Sequence, residues 1–107
     1  MKTTVHNKLV RDKIPEIIRA EGHDPHTLVL DREEYGQALL EKLREEVAEF
    51  SESHSIGEMA DILEVLAALI RLEGFAPEAL KAVRQEKREK NGAFRRRIFL
   101  TTVDRRE

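Results

Sequence analysis

Cysteine and tryptophan are absent from this chain of 107 residues, which holds one tyrosine, three prolines and five glycines. Without cysteine there is no disulfide and no zinc site built on thiolates. No stretch approaches the roughly 18 consecutive apolar residues of a membrane-spanning helix, and the first residues lack the apolar core of a secretory leader. A cytoplasmic protein with no membrane partner is therefore the expectation. Net charge is also missing: 19 Lys and Arg stand against 21 Asp and Glu, leaving −2. So small a balance makes no overall case for binding a polyanion, and no nucleic-acid partner is expected.

What the chain does have is charge interleaved with apolar residues. Charged residues make up 37% of it, and Leu, Ile and Val recur among them at helical spacing, which marks amphipathic helices rather than disorder. The length predicts a single domain over 1–107 with a modest core. With disulfides excluded, the reinforcement expected is self-association, helped by a metal.

The pattern predicts an all-α fold, a helical hairpin or bundle of about four helices. Pro15 suits the first turn of a helix over 13–21 that Asp12 caps and Gly22 closes. Asp31 caps a long helix over 32–53. His54-Ser55-Ile56-Gly57 is a short break, and a second long helix runs to Glu73, where Gly74 ends it. So short a link between long helices predicts an antiparallel pair. Pro77 opens a last helix over 77–90, stopped at Asn91-Gly92. The β-branched and apolar runs near 27–30 and 95–101 predict a minor two-stranded sheet. In that strand Arg95 and Arg97 would share a face, with Arg96 on the other. Tyr35, Phe50, Phe75, Phe94 and Phe99 read as core residues.

Two acidic pairs, Glu46-x-x-Glu49 and Glu58-x-x-Asp61, fall on the two long helices. At about 100° per residue, Leu39, Leu43, Val47 and Phe50 cluster within roughly 80° of arc. Glu46 lies about 20° outside that arc, Glu49 follows it further round, and Glu45 points to the solvated side. Val65, Leu69 and Leu72 project within about 40° of Glu58, on a face close to Asp61, while Glu64 lies away from it. A carboxylate set against apolar surface is costly unless its charge is compensated. Four of them converging from antiparallel helices suit a hard divalent cation with oxygen ligands, Mg²⁺ or Mn²⁺ in its place. A di-iron site of the ferritin kind needs Glu-x-x-His, which does not occur here. The competing reading is ordinary surface charge.

The flanking residues extend the pattern. Asn7-Lys8-Leu9-Val10-Arg11-Asp12-Lys13-Ile14-Pro15, the helix Lys42 to Phe50, the helix Glu58 to Val65 and the closing segment Lys87 to Phe94 together resemble the MazG-like, phosphoribosyl-ATP pyrophosphohydrolase-like branch of the all-α NTP pyrophosphatases. The resemblance covers residues 7–100, with a shorter gap between Glu49 and Glu58 than in many MazG-like enzymes. It implies a Mg²⁺-dependent hydrolase that cleaves a nucleoside triphosphate between the α- and β-phosphates, giving the monophosphate and pyrophosphate in nucleotide-pool house-cleaning. It also implies a homodimer or homotetramer.

On this reading Glu46, Glu49, Glu58 and Asp61 hold the metal, and Glu46 or Glu49 activates water. Lys8, Arg11, Lys87, Lys90 and Arg95 are the candidates for binding phosphate. The alternative function is a non-catalytic helical oligomerisation module or a nucleotide-binding regulator. His23 and His26, beside a turn-forming Asp-Pro, read as solvent-exposed rather than as ligands.

Overall fold

Helix ends in this protein are set by side chains and glycines that satisfy the backbone groups a helix leaves unpaired. Asp31 accepts a hydrogen bond from the Glu34 N–H at 2.9 Å, and the Glu34 side chain accepts from the Asp31 N–H at 3.3 Å. This reciprocal cap fixes the start of the longest helix. At its other end His54 turns left-handed, with φ 51°, and its N–H donates to the Phe50 carbonyl at 2.8 Å. The Ser55 hydroxyl then accepts from the Glu58 N–H at 3.2 Å. Ile56 and Gly57 therefore belong to the first turn of the next helix, and the break is His54 and Ser55 alone.

The computed structural model describes residues 2–106. It holds four helices, α1 (Ile14–Ala20), α2 (Arg32–Ser53), α3 (Ile56–Glu73) and α4 (Pro77–Asn91), and the fold is all-α. The chain divides into two compact units, one running to Gly74 and the other starting at Phe75.

In the first unit α2 packs on α3. Their order is antiparallel, because the start of α2 meets the end of α3. The Arg32 guanidinium donates to the Leu72 carbonyl at 2.6 Å, and a Cβ on Gly36 would lie 3.3 Å from Leu72 Cδ2. Leu39 and Val65 are the buried apolar residues between the helices, and Leu43, Phe50, Leu69 and Leu72 are half-buried beside them. Val47 departs from its predicted place in the stripe and is exposed, whereas Glu46 is buried. The contact line between the helices thus runs further toward Glu46 than the projection of one helix indicates.

Preceding the hairpin, α1 has Pro15 in its first turn but no side-chain cap. The cap expected from Asp12 is replaced by a turn in which the Ile14 N–H donates to the Arg11 carbonyl at 3.0 Å.

In the second unit α4 starts at Pro77 and ends at Asn91, followed by Gly92 with φ +85°. The Arg97 N–H closes a turn onto the Phe94 carbonyl at 3.4 Å.

The predicted minor sheet does not form, and no strand occurs among the described residues. Val29 is 98% exposed, and Leu28, Ile98, Phe99 and Leu100 are exposed too. A strand needs a neighbour for its backbone groups and a surface for its apolar face, and neither run has them. The Arg95–Arg97 alternation fails with the sheet, since these residues lie in or next to the turn. Of the aromatics expected in the core, Tyr35 and Phe50 are half-buried, while Phe75, Phe94 and Phe99 are exposed. No described helix is long and apolar enough to cross a membrane.

Candidate metal centre

Glu46 is buried to 5% exposure near the closed end of the hairpin. One oxygen from each of Glu46, Glu58 and Asp61 lies within 4.8 Å of the other two. Oxygen ligands of Mg²⁺ or Ca²⁺ stand at about 2.0 to 2.6 Å from the ion, so this separation is compatible with one cation shared among the three. Glu58 and Asp61 are half-buried, and Glu49 is exposed at the edge of the group beside Glu58.

The group is short of partners. With its carboxylates ionised, Glu46 Oε2 and Glu58 Oε2 are buried and accept no hydrogen bond. Buried polar atoms of this kind are nearly always satisfied in folded proteins. A proton provides one remedy. Burial, followed by the hydrogen bond and the charge of Glu49 and then those of Glu46, pushes the Glu58 carboxyl up to about 7. Protonated, Glu58 donates to a neighbouring carboxylate. A divalent cation provides the other remedy, and it neutralises more of the charge. The oxygen donors, their spacing and the orphaned atoms fit such an ion.

Three cations surround the acids. Lys42 Nζ lies 3.3 Å from Glu46 Oε1 and 3.8 Å from Glu45 Oε1. Lys8 Nζ lies 3.4 Å from Glu45 Oε1. The Arg11 guanidinium donates to Asp61 Oδ1 at 2.6 Å, and its other terminal nitrogen lies 3.9 Å from Glu64 Oε1. The segment before α1 therefore reaches α2 through Lys8 and α3 through Arg11.

The expected metal ligands Glu46, Glu58 and Asp61 thus come together, with Glu49 adjoining through Glu58. Lys8 and Arg11, expected at phosphate, are bonded to acids of the hairpin. Lys87, Lys90 and Arg95 are exposed in the second unit. Glu45, expected on the solvated side, is half-buried under two lysines, because the preceding segment brings Lys8 over it. Lys42 was not among the expected site residues. Its signal was the four-residue spacing to Glu46, which puts both on one helix face. His23 and His26 are exposed.

Comparison with known proteins adds little. No family model matches the chain. An uncharacterized protein of Mycolicibacterium smegmatis is 57% identical over 42 residues, a match covering 39% of this chain. The aligned stretch spans 43% of that relative's length. No solved structure matches.

Proposed function

We propose that this protein is a Mg²⁺-dependent nucleoside triphosphate pyrophosphohydrolase of the MazG-like kind, working in nucleotide-pool house-cleaning. The observation that carries the reading is the trio Glu46, Glu58 and Asp61, with two buried carboxylate oxygens that accept no hydrogen bond while the group is ionised. Ion pairing does not account for these two atoms, since Lys42 and Arg11 reach other oxygens of the group. Mn²⁺ would substitute, since the donors are all oxygen.

When bound, the cation neutralises phosphate charge and makes a coordinated water more acidic. Glu46, Glu58 and Asp61 would hold it, with Lys42 paired to Glu46 at their flank. Glu49, at the exposed edge, is the residue best suited to take a proton from the attacking water. Water oxygen bonds to the α-phosphorus while the bond from that phosphorus to the α–β bridging oxygen breaks. The products are the monophosphate and pyrophosphate, and the negative charge on the leaving group needs cations. Arg11 and Lys8, in the same unit as the acids, are the candidates for it. A homodimer or homotetramer belongs to the same reading.

The test is release of pyrophosphate from a broad panel of canonical and modified nucleoside triphosphates and phosphoribosyl-ATP, with Mg²⁺. Asp61→Asn and Glu49→Ala are each expected to lower turnover by about 100-fold or more while helical circular dichroism persists. Wild-type protein inert toward the whole panel would sink the enzymatic reading.

A further inference from the structure

The segment before α1 spans the hairpin beside the acidic group, and the two of its cations that reach the acids are bound unequally. Lys8 rests on Glu45, which is not one of the clustered carboxylates. Arg11 rests on Asp61, which is. Leu9, between them in sequence, is half-buried. The Arg11 side chain itself is 55% exposed, and its partners on α3 are the half-buried Asp61 and the exposed Glu64.

We infer that Arg11 is shared between the metal centre and the substrate, balancing Asp61 in the metal-free protein and passing to the substrate's phosphate when a divalent cation takes that carboxylate. The inference rests on the metal-dependent reading above. Its logic is competition for one negative group. Asp61 carries a single charge, and a divalent cation among Glu46, Glu58 and Asp61 claims it more strongly than a half-exposed guanidinium does.

Arg11 is then left beside a cation that repels it, unless another anion arrives. A phosphate drawn in by the metal is that anion, and a guanidinium fork suits two phosphate oxygens at once. Lys8 has no such reason to move, because Glu45 stays available to it. The geometry therefore separates two residues that the sequence treats alike. Arg11 is a phosphate ligand and Lys8 an anchor of the segment.

The experiment uses the full chain and two readouts that need no turnover. Mn²⁺ affinity is measured from the paramagnetic resonance of the free ion, and imidodiphosphate binding by calorimetry at saturating Mn²⁺. Arg11→Met is expected to leave Mn²⁺ affinity unchanged or tighten it several-fold, and to weaken imidodiphosphate by about tenfold or more. Arg11→Lys should recover part of that loss. Lys8→Met should cost imidodiphosphate at least several-fold less than Arg11→Met does.

Arg11 is only a brace for Asp61 if Arg11→Met weakens Mn²⁺ by tenfold while imidodiphosphate still binds normally. Equal losses in the Lys8 and Arg11 variants overturn the division of roles. Wild-type protein that binds no Mn²⁺ removes the metal centre itself, an outcome distinct from either.

Discussion

At neutral pH the Glu58 carboxyl lies near the midpoint of its titration, raised from 4.5 to about 7 by burial and by Glu49 and Glu46. The sign of the effect on folding follows from proton counting. Between these values the folded protein holds a proton that the unfolded chain has released, so stability without metal falls as pH rises through this window. On the proposed metal-dependent reading a divalent cation would take the proton's place, and its grip would tighten as the proton leaves. The rise in melting temperature produced by Mg²⁺ is therefore expected to be larger at pH 8 than at pH 5.5. In Glu58→Gln, both the decline of the metal-free protein over this range and the pH dependence of the Mg²⁺ effect should be reduced. A Mg²⁺ effect independent of pH would count against the assignment. The spacing of Glu58 and Asp61 on an apolar stripe was readable from sequence, whereas the pairing of Lys8 with Glu45 was not. It depends on where an irregular segment crosses the helices, and projecting one helix contains no information about its neighbours.

Among the elements, the hairpin was the most legible because three independent signals agree on it. Leu39 and Val65 recur at helical spacing with their neighbours, Asp31 caps α2, and Gly74 ends α3 in the left-handed conformation. The misread runs, 27–30 and 95–101, had only composition in their favour. β-branched residues fit a strand, but pairing is a tertiary property that composition does not supply. The start of α3 was placed late because Ile56 and Gly57 look like loop, although Ser55 satisfies the Glu58 N–H ahead of them. Ser55→Ala should thus cost about 1 kcal/mol, the usual worth of such a cap, in urea denaturation monitored by circular dichroism. It should also weaken Mn²⁺ binding, since Glu58 is the residue whose backbone is capped. Unchanged Mn²⁺ affinity would mean that the first turn of α3 holds Glu58 without the serine.

At the scale of the molecule, the buried apolar residues among those described are Leu39 and Val65, a small core for a chain without disulfides. The hairpin meanwhile exposes Leu40, Val47, Met59, Leu63 and Leu66. Light scattering at micromolar concentration is expected to give a homodimer or larger assembly. Leu63→Glu, at a position 60% exposed, should shift it toward monomer, because a charge is costly where apolar surface is to be covered. A wild-type monomer throughout that range would refute this.

The acidic group has a further consequence through its place in the chain. Glu46, Glu49, Glu58 and Asp61 flank a connection of only His54 and Ser55, so the contacts that build the centre are local. Short closures cost little chain entropy and tend to form early. Like charges are therefore gathered at the start of the folding path, when the hairpin zips. Whatever relieves them, proton or cation, acts on the rate of folding as well as on the finished protein. The same locality writes the four acids in one short and uninterrupted run of sequence.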